Sequence, residues 1–209
     1  MTRRALRAAV LTIVAAALLA GCSAMPSFLG GGGAEKPKPA ELPPNVALIG
    51  VRPAWTARIG AVSVPLSVSV NGNTIAVASV DGTVAAIDAA SGRDLWRASA
   101  GAPIAAGVGS DGTTAAVVTR ANQLVALADG KTLWREQLPA VSYTAPFVAG
   151  GRVFVLTADR SVSAFDARNG RRLWTQQRPG EPLVLRHGGV MLAVGDTLVV
   201  GLSGRLAGL

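Results

Sequence analysis

The sequence predicts an all-β fold, a β-propeller of four-stranded antiparallel blades. Three observations predict it. The four tryptophans of the chain, Trp55, Trp96, Trp134 and Trp174, stand 41, 38 and 40 residues apart. The last three close similar segments: Val84-Ala-Ala-Ile-Asp88 leads to Gly92-Arg-Asp-Leu-Trp96, Leu124-Val-Ala-Leu to Gly130-Lys-Thr-Leu-Trp134, and Val162-Ser-Ala-Phe-Asp166 to Gly170-Arg-Arg-Leu-Trp174. Short apolar runs recur between turn residues at roughly 8–12-residue intervals, with no sustained helical period beyond the N-terminus. One such unit cannot bury both of its faces alone, so a repeat of this length implies stacked sheets.

Residues 1–21 come first and carry a different signal. Arg3, Arg4 and Arg7 precede an apolar stretch from Ala8 to Ala20. That stretch is too short to span a bilayer comfortably and has the layout of a signal peptide. It ends in Leu19-Ala20-Gly21-Cys22, which resembles the bacterial lipobox. The resemblance implies that Cys22 becomes the first residue and is acylated on its sulfur and its amine. Several acyl chains hold a protein on a membrane where one binds only marginally. Ser23 in place of an aspartate implies, by the same resemblance, the outer membrane. Cys22 is the single cysteine, so no internal disulfide is available. Removing Arg3, Arg4 and Arg7 leaves 17 basic and 12 acidic residues, a net charge of +5. These charges are scattered, without a basic block or interleaved aromatics, which argues against a nucleic-acid surface.

Residues 22–45 read as a lipidated flexible tether. Gly30-Gly-Gly-Gly33, Lys36-Pro-Lys-Pro39 and Leu42-Pro-Pro44 lack any periodicity. Such a stretch has a root-mean-square reach of about 30 Å. Residues 46–209 then hold the propeller. The first full unit is expected at Val64–Val70, Thr74–Ser79, Thr83–Asp88 and Asp94–Ser99, with Asn71-Gly-Asn73 and Asp81-Gly82 as hairpin turns. Ser110-Asp-Gly112 precedes a strand at Thr113–Thr119, and Gly150-Gly151 precedes one at Arg152–Thr157.

The strand-turn segments have their own chemistry. Asp88 and Asp166 can cap their turns, while Gly92 and Gly170 can take positive φ before Trp96 and Trp174. The pattern Ala-x-Asp-x-x-x-Gly-x-x-x-Trp resembles the tryptophan-docking motif of quinoprotein-like propellers. That resemblance implies that each indole packs on the glycine turn of a neighbouring blade. The unit Ala126-Leu-Ala-Asp-Gly130 is two residues shorter and predicts a tighter turn before Trp134. Trp55 lacks the preceding motif and is expected on an outer strand that closes the ring with the far end of a longer chain. Ser203-Gly-Arg-Leu-Ala-Gly-Leu209 aligns with Asp81-Gly-Thr-Val-Ala-Ala-Ile87. The expectation is therefore about 3.5–4 blades of eight, with the sequence stopping inside a blade.

No catalytic constellation is legible. The quinoprotein enzymes resemble one another in placing a quinone over Ca²⁺ above an adjacent cysteine pair, which one acylated cysteine cannot supply. Clustered carboxylates for a metal are missing from the sequence, and His187 stands alone. Asp88, Asp129 and Asp166 read as turn caps. Gly30–Gly33 opens no helix and precedes no Lys-Ser/Thr, so it is not a phosphate loop. The expectation is a protein without cofactor, metal site or enzymatic activity.

One segment breaks the repeat: Pro179-Gly-Glu-Pro-Leu183-Val-Leu185-Arg186-His-Gly-Gly189. In an extended loop Leu183 and Leu185 point the same way, beside Arg186. Two apolar side chains and an arginine fit a protein-docking hot spot, although packing beneath the loop explains the leucines equally well. With the lipobox, the tether and the tryptophan motif, this Leu-x-Leu-Arg loop resembles the BamB family of the outer-membrane β-barrel assembly (BAM) machinery. The resemblance implies a lipid-anchored, non-enzymatic scaffold at the periplasmic face of the outer membrane. It would bind the POTRA domains of a BamA-like barrel subunit through Leu183, Leu185 and Arg186 and assist folding and insertion of outer-membrane proteins. Two other readings share the propeller: a periplasmic quinoprotein-like enzyme, and a lipoprotein binding or sensor propeller.

Overall fold

The structure is a computed structural model that describes residues 50–62, 67–180, 189–202 and 205–209. The chain forms two units, Met1–Val51 and Arg52–Leu209. The signal peptide, the tether with Cys22, and Leu183, Leu185, Arg186 and His187 lie outside the described residues.

The described residues of Arg52–Leu209 form the predicted stack of antiparallel sheets. Blade one is β1 (Ser69–Asn71), β2 (Thr74–Ala78), β3 (Thr83–Asp88) and β4 (Asp94–Ser99). Blade two is β5 (Gly109–Ser110), β6 (Ala115–Val118), β7 (Gln123–Ala128) and β8 (Lys131–Gln137). Blade three is β9 (Phe147–Ala149), β10 (Arg152–Leu156), β11 (Ser161–Asp166) and β12 (Arg172–Gln177). Blade four has three strands among the described residues: β13 (Val190–Val194), β14 (Thr197–Leu202) and β15 (Arg205–Gly208). The first strands β1, β5, β9 and β13 neighbour one another in series, which makes them the inner strands. Ser69 Oγ donates to the Ser110 carbonyl at 3.0 Å and ties two of them together.

Strand alternation produces the core. Successive side chains point to opposite faces, so every inner sheet feeds two interfaces. Ala115 and Val117 of β6 join Ala76, Ala78 and Val84 of blade one. Ala116 and Val118 of the same strand face the other way, toward Val153, Val155 and Phe165 of blade three. Phe154, Leu156 and Val162 then meet Met191, Leu198 and Val200 of blade four. Alanine and valine supply most of these layers, with Phe154, Phe165, Leu156 and Met191 filling the wider places.

Two strand starts differ from the sequence expectation. β1 spans Ser69–Asn71 rather than Val64–Val70, and residues 63–66 lie outside the described set. β6 starts at Ala115 rather than Thr113. Asp111 Oδ1 accepts the N–H groups of Thr113 (3.0 Å) and Thr114 (2.8 Å), which extends the turn at the expense of the ladder. The strand Arg205–Gly208 occupies the third-strand position that the alignment with β3 assigns to it.

Candidate functional site

Each blade exposes two kinds of connection at two opposite ends. One end carries the turns between third and fourth strands, where the tryptophan motif lies. The other carries the turns between second and third strands together with the crossings to the next blade, among them the one that leaves β12 at Arg178.

At the first end the motif residues form inter-blade contacts. The Asp88 backbone carbonyl accepts the Gly92 N–H at 2.8 Å, and its carboxylate accepts the Ser91 N–H at 2.7 Å. Asp166 repeats this through the Gly170 N–H and, with its side chain, the Arg168 N–H, both at 2.9 Å. These bonds hold the turn against the preceding tryptophan. Trp55 Nε1 donates to the Ala89 carbonyl at 2.9 Å and Trp134 Nε1 to the Ala167 carbonyl at 2.8 Å. A Cβ placed on Gly92 would lie 2.5 Å from the Trp55 ring, and one on Gly170 would lie 2.7 Å from the Trp134 ring. The indoles therefore occupy the space that only glycine leaves free.

Blade two departs as its shorter motif predicts. Asp129 and Gly130 both take positive φ, 51° and 74°, and Ala128 pairs directly with Lys131. This is a two-residue hairpin of the primed kind. Asp129 is thus a central residue of the turn rather than the cap expected from the repeat. A Cβ on Gly130 would meet Trp96 at an ordinary 3.5 Å, so backbone conformation alone requires the glycine there. Trp174 packs against Phe154, ring centroids 6.0 Å apart. It lines a cavity of about 640 Å³ between blades three and four, together with Leu173, Leu198, Arg152 and Asp196.

At the second end the crossing that contains Leu183, Leu185 and Arg186 leaves from a fixed base. The Arg178 N–H donates to the Arg160 carbonyl at 3.2 Å, joining the end of β12 to the β10–β11 turn. Arg160 has φ 66°, and a Cβ on Gly180 would sit 3.0 Å from its guanidinium carbon. Asp159 closes the same turn. Burial works against its charge, but hydrogen bonds from Thr157 Oγ1 and from Ser161 outweigh burial and hold its pKa below the ordinary carboxylate value. Asp81 does the same in blade one, lowered by Ser79 Oγ and the Thr83 N–H. The basic side chains Arg160 and Arg178 flank the point where the crossing begins. Among the described residues no group of three or more His, Cys, Asp or Glu could hold a metal ion.

The sequence reading missed two arginine links, one of them between blades. Arg135 Nη1 donates to the Ala100 carbonyl of blade one at 2.7 Å, and Arg97 Nη2 donates to the Arg58 carbonyl at 3.2 Å. The signal was present as the dipeptide Trp-Arg at both Trp96-Arg97 and Trp134-Arg135.

A family model described as outer membrane protein assembly factor BamB matches residues 80–209, most of the blade region. The chain belongs to the BamB family. The BamB of Bordetella pertussis strain Tohama I is 39% identical over 188 residues, covering 89% of this chain and 47% of that protein. The BamB of Burkholderia pseudomallei strain K96243 is 35% identical over 158 residues, covering 73% and 41%. The chain thus spans about half the length of the curated relatives it matches. The crystal structure of BamB from Moraxella catarrhalis aligns with a TM-score of 0.52 at 20% identity, over 74% of this chain and 60% of that one. That likeness establishes the shared propeller fold.

Proposed function

We propose that this BamB-family chain is a non-enzymatic scaffold in outer-membrane β-barrel assembly. The observation that carries the reading is the family match over residues 80–209, to a family described as an outer-membrane protein assembly factor. The relatives carry the same description. In this reading the crossing between β12 and β13 docks on POTRA domains of a BamA-like barrel subunit. Leu183 and Leu185 supply apolar anchors and Arg186 a fork of donors. This combination suits a small, fully desolvated hot spot. Support comes from the base of that crossing, which is pinned to the β10–β11 turn through Arg178 and Arg160. A loop emerging from a fixed base loses less freedom on binding.

In the same reading Cys22 is acylated and holds the scaffold at the periplasmic face of the outer membrane. The test is co-purification from membranes. Wild-type chain should bring down the barrel subunit, and a Leu183→Ala/Arg186→Ala variant should bring down little. Equal capture by both rejects the docking site.

A further inference from the structure

We propose that the blade-three turn Arg168–Arg172 binds the phosphate groups of an anionic membrane surface, so that the end of the blades carrying the tryptophan motif faces the lipid. The choice of partner rests on the membrane reading of the N-terminus. The turn lies at the end opposite the β12–β13 crossing, and the experiment uses unacylated chain, so the two readings fail separately.

In the sequence the basic residues are scattered, but this turn concentrates three of them. Arg168, Arg171 and Arg172 are all exposed. None of them enters an ion pair among the described residues. Blade one shows the balanced counterpart. There Ala90 holds the place of Arg168 and Asp94 that of Arg172, and Asp94 is paired with Arg97 at 2.7 Å. In blade three the place of Arg97 is taken by Thr175, whose hydroxyl is bonded to Ser163 Oγ at 2.8 Å. The carboxylate at this turn, Asp166, accepts the Arg168 backbone N–H and closes the turn.

The turn is fixed before any ligand arrives. The Asp166 N–H donates to the Arg171 carbonyl and the Arg171 N–H to Asn169 Oδ1, both at 2.9 Å. Trp134 packs against Gly170 at its centre. The Arg172 guanidinium stands over the buried Phe165 ring, 5.7 Å from its centroid. A guanidinium fork pairs with two phosphate oxygens at once. A turn already held in place loses little freedom in making such pairs.

The neighbouring blades extend the basic surface. Arg93 and Lys131 follow Gly92 and Gly130 as Arg171 follows Gly170, and both are exposed. At the same end Asp88 accepts the Ser91 N–H, and Asp111 those of Thr113 and Thr114. These carboxylates face their own turns, while Asp129 and Asp196 stand on the turns that flank blade three. Cations spread over three blades suit a plane of headgroups better than one small anion. The chain also enters at this end. Arg52 opens the folded unit, and three residues later Trp55 is bonded to the Ala89 carbonyl of the blade-one turn.

The experiment is vesicle co-sedimentation of the full chain, with Cys22→Ser in every protein. One set of vesicles is phosphatidylcholine alone, and the other contains about 30% phosphatidylglycerol as the anionic lipid. The chain should prefer the anionic set, and the preference should fade as salt shortens the Debye length. Arg168→Gln/Arg171→Gln/Arg172→Gln should lower the preference at least about tenfold. The same three positions changed to lysine should retain most of it. Arg58→Gln/Arg120→Gln/Arg205→Gln removes equal charge elsewhere and should leave most of the preference. Equal losses in the two glutamine variants overturn the proposal, since net charge alone would then explain binding. So does binding of polyglutamate through the turn without any preference for anionic vesicles, which would make the partner an acidic protein segment.

Discussion

The six-membered ring of Trp134 lies 2.7 Å from where a Cβ on Gly170 would be, and its N–H reaches the Ala167 carbonyl of the same turn. One indole thereby joins blade two to blade three by exclusion and by a hydrogen bond. Trp55 makes the same pair of contacts with Gly92 and Ala89.

This relationship separates the glycines. Gly170→Ala must tolerate both a left-handed backbone and a clash with Trp134, and is expected to destabilise by about 2–4 kcal/mol. Gly130→Ala meets only the backbone term, about 1–2 kcal/mol. Urea unfolding of the two variants checks the order, and equal losses would show that the indole yields freely.

Trp134→Phe keeps an aromatic ring but leaves the buried Ala167 carbonyl without its donor. The expected loss is about 1–3 kcal/mol. Trp55 is half-buried, so Trp55→Phe should cost less, because water can replace the donor. Thermal unfolding of both proteins measures the difference.

Asp159 gives a pH signature. Its folded pKa is depressed, so the stability it contributes is present above the unfolded value of about 3.9 and is lost as pH falls through the folded value. Asp159→Asn removes that component. Its unfolding curve should therefore depend less on pH on the acid side than that of the wild type, while Thr157 and Ser161 keep their backbone positions.

Cys22→Ser removes the only thiol available for acylation. The variant is expected to lose palmitate incorporation in metabolic labelling and to leave the outer-membrane fraction. Retention in the membrane with labelling intact would place the anchor elsewhere.

Most of the fold was readable because the repeat carries it. Trp96, Trp134 and Trp174 mark the outer strands, and Gly92, Gly130 and Gly170 mark turns that need positive φ. Asp129 was misread because two missing residues change a capped turn into a two-residue hairpin, and spacing alone shows the shortening but not the role. The Arg97 and Arg135 links escaped the sequence reading because their distant acceptors, Arg58 and Ala100, are backbone carbonyls, which no residue pattern marks. Gly109 was equally silent. A Cβ there would fall 1.8 Å from the Pro146 carbonyl oxygen, a contact between inner strands of two blades that no local pattern announces. The segment proposed for docking stands out in the sequence only as a break in the repeat, since Leu183, Leu185 and Arg186 follow no period.

The central claim is that this loop binds the barrel subunit. Titration of purified POTRA domains with wild-type chain and with Leu185→Ala/Arg186→Ala, by calorimetry, tests it most directly. Loss of a hot spot of about 2 kcal/mol or more predicts a Kd raised at least about tenfold with unfolding unchanged. An unaltered Kd would contradict the assignment.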